Sequence, residues 1–105
     1  MESTRIQQIQ KMLRSEPLDD FLNYALALEY EKEGKIHQAA SQIETILKRN
    51  EQYSGAYHKL GALLEQLGET SRAADAYKKG MEINKNNRKT YNELQEALQN
   101  LMDTD

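Results

Sequence analysis

Histidines, cysteines and paired carboxylates are what a catalytic or metal site would be built from, and this chain of 105 residues offers few of them. Its two histidines, His37 and His58, fall in different segments, and there is no cysteine. A His-x-x-x-His spacing, which would bring two imidazoles to one helix face, does not occur. The lack of cysteine rules out disulfides and thiolate chemistry. Asp19 and Asp20 are adjacent carboxylates, but they head a helical segment, where negative charge favours the helix dipole. Neither a glycine-rich phosphate loop nor a nucleophile motif is present. The expectation is a protein with no catalytic residue, no metal and no cofactor.

Composition narrows the partners. The net charge is −3 and the pI about 5.4. Nucleic-acid binding needs a basic face, so no nucleic acid is expected. No run of about 18 apolar residues exists to span a membrane, and the opening MESTRIQQIQ carries no apolar signal segment. The expected location is cytoplasmic, without a membrane partner. Charged residues make up 30% and apolar residues 38% of the chain. That balance suits a single folded domain over residues 1–105.

The elements follow from apolar spacing. Ile6, Ile9, Met12 and Leu13 recur at three and four. So do Leu22, Leu26 and Tyr30; then Ile36, Ala39, Ala40, Ile43, Ile46 and Leu47; then Tyr57, Leu60, Leu64 and Leu67. Ala73, Ala76, Tyr77 and Met81 follow, and finally Tyr91, Leu94, Leu98 and Leu101. This is the helical period, and no stretch alternates as a strand would. Six helices are predicted near residues 3–15, 19–33, 36–49, 54–67, 70–83 and 88–101. Ser3 is a candidate N-cap, Pro17 ends the first helix, and Gly34 and Gly68 suit turns that need a left-handed residue. Such short connections make neighbouring helices antiparallel.

Residues 20–53 laid on residues 54–87 match without gaps. Leu26 falls on Leu60, Ala27 on Gly61, Tyr30 on Leu64, Gly34 on Gly68, Ala39 on Ala73, Ala40 on Ala74 and Asn50 on Asn84. The register continues onto Tyr91, Leu94 and Leu98, and backwards onto Ile9, Met12 and Leu13. The second unit reads Tyr57-x2-Leu60-Gly61-x2-Leu64 followed by Ala73-x3-Tyr77, and the first reads Asn23-x2-Leu26-Ala27-x2-Tyr30 followed by Ala39-x3-Ile43. With two helices per unit, this pattern resembles the tetratricopeptide repeat. The resemblance implies an all-α fold of antiparallel helix hairpins: a capping helix at 3–15, repeats at 20–53 and 54–87, and a capping helix at 88–101. Within a repeat, Ala27 should face Ala39 and Gly61 should face Ala73, while Ile43, Leu47, Tyr77 and Met81 pack on the helix that follows. Arg5 and Gln95 fall in the register of these small residues, which marks the first and last helices as ends. Four positions depart from the pattern: Asn23 replaces a large aromatic, Glu51 and Lys85 replace the closing proline, and Gly80 interrupts a helix, as either a tight helix crossing or a tolerated defect.

The resemblance also implies a function. First helices of such repeats line a concave face that commonly holds extended peptides. Those positions give Phe21, Tyr24 and Leu28 from the first repeat, and His58 and Ala62 with Lys59 at the edge from the second. Lys89 and Asn92 come from the last helix, and Glu31, Glu65, Gln66 and Glu96 share these faces. Phe21, Tyr24 and Leu28 give their helix a second apolar face, which calls for a ligand, a partner or cover by the first helix. The expected partner is a protein or peptide. The alternative is homodimerisation through the same face, so the chain is expected as a monomer or weak homodimer. Some relatives clamp the terminal carboxylate of chaperone tails with basic residues. The corresponding places here hold Tyr24, Leu28, Lys59, Lys89 and Glu93, and only Lys89 matches.

Overall fold

The computed structural model describes residues 3–103. These form six α-helices and, among the described residues, no strand: α1 (Thr4–Ser15), α2 (Asp20–Lys32), α3 (Ile36–Arg49), α4 (Ala56–Gln66), α5 (Thr70–Ile83) and α6 (Arg88–Met102). Every predicted boundary lies within two residues of these. The chain gathers into two compact units, Met1–Arg49 with α1 to α3 and Asn50–Asp105 with α4 to α6.

In the first unit, Ser3 caps α1 by accepting a hydrogen bond from the Ile6 amide at 3.1 Å, and Asp19 caps α2 by accepting from Leu22 at 2.9 Å. α1 stops at Ser15, and Glu16, just before Pro17, has left the helical region at φ −135° and ψ 69°, in line with the steric bar on helical backbone before proline. Polar contacts fix the helix directions. The Ser3 amide donates to Glu33 at 3.1 Å and Arg5 lies 3.8 Å from Glu29, so the start of α1 meets the end of α2. Asp20 and Arg49 pair at 3.2 Å, joining the start of α2 to the end of α3. Both neighbours are therefore antiparallel. Ile6, Ile9 and Leu26 form a buried cluster, with Leu13, Ala25 and Tyr30 around it. Met12, expected in the same stripe, is 49% exposed.

The turn between α2 and α3 and that between α4 and α5 are copies. Gly34 and Gly68 both adopt φ +76°. In each, the glycine amide donates to a carbonyl three residues back (Glu31, Glu65) at 3.0 Å. The next amide donates five back (Tyr30, Leu64) at 2.9 Å. This pair of bonds satisfies helix-end carbonyls and needs a residue in the left-handed region.

Asn23 is not a gap in the repeat. It is 5% exposed, and its Nδ2 donates to the carbonyls of Pro17 at 3.1 Å and Asp19 at 2.8 Å while its Oδ1 accepts from Gln42 at 2.5 Å. In the second unit, the Tyr57 hydroxyl donates to the Glu51 carbonyl at 2.6 Å. The repeat register carries Asn23 onto Tyr57 and Pro17 onto Glu51, so an amide and a phenol do one job: each ties its helix to the preceding loop.

The second unit is held by close approach at two glycines. A Cβ on Gly61 would collide with the Tyr77 ring. One on Gly80 would lie 2.6 Å from Tyr57 Cβ and 2.9 Å from Leu94 Cδ1. Gly80 is thus the point where α4 and α6 both press on α5. The pairs Gly61–Tyr77 and Tyr57–Gly80 run in opposite directions along α4 and α5, so these helices too are antiparallel. The atoms nearest a Cβ on Gly61 belong to the Tyr77 ring, and Tyr77 also reaches back to α4, a contact the repeat register did not indicate. Ala73 is fully buried, as a small residue at a crossing should be. The core here is Tyr57, Leu60, Leu63, Leu64, Tyr77 and Leu94, each worth about 1.5–3 kcal/mol of apolar burial. Arg5 and Gln95, expected to mark ends, are both exposed.

Candidate functional site

On α2, Phe21 is 75% exposed, whereas Tyr24 and Leu28 are half-buried. That exposure removes one option for the second apolar face: the first helix does not cover Phe21. The side chain instead borders a shallow hollow of about 370 Å³ at the α1–α2 corner, beside Met12, Glu16 and Leu22. Tyr24 and Leu28 do not line that hollow.

In the second unit, His58 and Ala62 come together in a cleft of about 450 Å³. From α4 it receives His58, Ala62 and Glu65, spaced four and three apart along one flank. Glu93, Glu96, Ala97 and Asn100 of α6 form the other wall, and Tyr77 of α5 lies between. Lys59, half-buried, and Lys89 and Asn92, both exposed, are not among the lining residues. Equivalent positions on two parallel helices point the same way; they do not face each other across the gap between them. Asn92 occupies the register position of His58, so it shares that direction. The wall opposite His58 is built from Glu93, Glu96, Ala97 and Asn100, one flank of α6 at helical spacing. Glu65 and Glu96 were legible in the sequence, but Tyr77, Ala97 and Asn100 were not placed here by it. A larger hollow of about 590 Å³, bordered by Lys78, Met81, Glu82, Lys85 and Tyr91, contains none of the anticipated residues.

The cleft's interior is ordered by one hydrogen bond. The Tyr77 hydroxyl donates to a Glu65 carboxylate oxygen, and the His58 ring leans on Tyr77 with centroids 5.9 Å apart and planes at 55°. Burial, reinforced by the Glu65 hydrogen bond and charge, holds the Tyr77 hydroxyl well above the usual tyrosine range. Burial, together with the Glu51 and Glu82 carboxylates, likewise raises Tyr57. Both phenols are therefore protonated donors at neutral pH, suited to fixing geometry and unsuited to acting as bases. Among the described residues, no three histidine or acidic side chains converge as metal ligands would. Nor, among these described residues, is any helix long and apolar enough to cross a membrane.

Comparison with known proteins agrees with this architecture. The sequence profile described as Tetratricopeptide repeat matches residues 1–82. A tetratricopeptide repeat domain protein from Salinibacter ruber is 32% identical and superposes with a TM-score of 0.79, over 83% of this chain and 90% of that one. The first tetratricopeptide repeat domain of Spaghetti, solved with the HSP90 peptide SRMEEVD bound, is 27% identical with a TM-score of 0.75. Its match covers 92% of this chain and 77% of that chain. A protein from Bordetella parapertussis shares the fold, with a TM-score of 0.80 at 22% identity, over 97% of this chain and 90% of that chain. No curated protein matches the chain.

Proposed function

The chain belongs to the tetratricopeptide repeat family, and from that premise we propose that it is a non-catalytic interaction module that captures a peptide or short helix of a partner protein. The observation that carries this reading is the cleft between α4 and α6. It is open to a ligand, it is walled by two first-type helices, and it holds His58 and Ala62. The peptide-bound Spaghetti domain supports the same reading by likeness. Lys59, Lys89 and Asn92, in the same unit, belong to the proposal as flanking contributions, and Phe21, Tyr24 and Leu28 on α2 are proposed as partner contacts of the first unit in their own right. A photo-crosslinking residue placed at Ala62 tests it against the same residue placed at Asp75 on α5. Partner adducts from position 62 and none from position 75 are expected; equal adducts from both would refute capture in the cleft.

A second reading has its own support in the 75% exposure of Phe21, with Met12 and Leu18 exposed at 49% and 68%. Such residues on one unit suit a weak homodimer. Sedimentation across a range of micromolar concentrations tests it: dimer formation abolished by Phe21→Ser is the expected sign, and a monomer at every concentration refutes it.

A further inference from the structure

We propose that the α4–α6 cleft selects a lysine- or arginine-bearing segment of its partner; this rests on the interaction reading above and assigns the chemistry of what is bound. No lysine or arginine lines the cleft, whereas Glu65, Glu93 and Glu96 do. An acidic terminus would meet like charge on both walls, which costs binding energy in any partly desolvated site. A cation meets the reverse.

All three carboxylate residues are exposed, and one of them is fixed in position. Glu65 is held in place by the hydroxyl of Tyr77, a side chain only 1% exposed whose ring is seated over Gly61. One acceptor is therefore preorganised on the α4 wall, with lone pairs remaining for a ligand. Glu93 and Glu96 stand three apart on the opposite wall and are exposed. Between the walls, Ala62 and Ala97 keep the passage clear of bulk. An aliphatic stem can lie along these methyl groups while its charged head reaches the carboxylates, and the His58 ring on Tyr77 adds an aromatic surface at the mouth. Each part fits a long cationic side chain in an extended segment. The same residues explain why the one matching position of a carboxylate clamp, Lys89, does not make the cleft basic: it does not line it.

The test is an amide-resolved NMR titration of the full chain with two synthetic probes of equal length. One is an alternating alanine peptide carrying lysine and arginine; the other carries glutamate at those places. The basic probe is expected to shift the amides of Ala62, Glu93, Glu96 and Ala97 saturably, with affinity falling from low to physiological salt. Replacing both carboxylates of α6 (Glu93→Gln with Glu96→Gln) should weaken it about tenfold or more, as loss of charge-assisted hydrogen bonds does. The control pair Asp75→Asn with Glu82→Gln removes the same charge from α5 and should leave affinity within about twofold. Equal weakening by the control pair would overturn the proposal in favour of diffuse attraction. Shifts of the same amides by the acidic probe would overturn the charge preference and leave capture in the cleft standing. Silence with both probes would overturn this inference, while crosslinking from position 62 separately decides the broader reading.

Discussion

Replacing Gly80 with alanine sets two physical effects against each other, and the structure decides which wins. In a helix interior, alanine is better than glycine by about 1 kcal/mol. By propensity alone the substitution stabilises. The new methyl, however, would sit 2.6 Å from Tyr57 Cβ and 2.9 Å from Leu94 Cδ1. Carbon atoms in contact prefer about 3.5–4.0 Å. Leu94 can change rotamer, but Tyr57 Cβ is anchored to the α4 backbone and cannot swing away. Relief therefore requires α4 and α5 to separate by roughly 1 Å, which loosens a crossing where Tyr57 is 4% and Leu94 0% exposed. Overpacking of this kind costs about 1–3 kcal/mol, with rigid neighbours at the upper end. Subtracting the propensity gain leaves a net loss of about 1–2 kcal/mol, or a fall in Tm of roughly 5–15 °C for a chain of this size. Urea unfolding followed by circular dichroism measures it. A Gly80→Ala variant as stable as the parent, or more so, would refute the close approach of the three helices at this glycine.

Other outcomes follow from particular contacts. Gly34→Ala and Gly68→Ala meet no atom within 4 Å, so their cost is conformational alone, about 1–2 kcal/mol each for a side chain at φ +76°; unfolding curves should show the two losses to be alike. Asn23→Ala should lose about 1–3 kcal/mol in the same assay, because Gln42 and the Pro17 carbonyl lose their Asn23 partner, while the Asp19 carbonyl keeps the residue-23 amide. Tyr77 has its folded-state pKa raised, so the stability it contributes is fully present below the unfolded value of about 10 and is lost as pH climbs above it. Unfolding free energy should therefore decline in alkali, and less steeply in Tyr77→Phe.

Much of this fold was legible because the repeat places identical demands at identical spacing. Gly34 and Gly68 were readable as helix-ending turns since the left-handed conformation leaves few residue types able to serve. Ser3 announced a helix start because its hydroxyl can accept from a first-turn amide, and the Asp19–Asp20 pair because negative charge favours that end of the dipole. The misreadings were of another kind. Asn23 looked like a lost aromatic because side-chain type differs from Tyr57 while the donated hydrogen bond is the same. Met12 kept the spacing of a core residue, yet the end of α1 offers it nothing to pack against that leaves it less than 49% exposed. Gly80 could be a defect or a crossing on sequence alone, since only the position of Tyr57 and Leu94 distinguishes them. The site was half legible. The structure brings His58, Ala62, Glu65 and Glu96, which the register placed on first-type helices, to one cleft. Lys89 and Asn92 were carried over by equivalence along the repeat, which preserves direction but does not say which flanks confront each other.

We propose, above all, that binding occurs on the first-type helices. Hydrogen exchange of the backbone amides, compared between the free chain and the chain saturated with its crosslinked partner segment, tests it most directly. Slowed exchange is predicted across Ala56–Gln66 and Arg88–Met102, with Thr70–Ile83 unchanged at its exposed positions. Protection confined to Thr70–Ile83, with α4 and α6 unaffected, would contradict it.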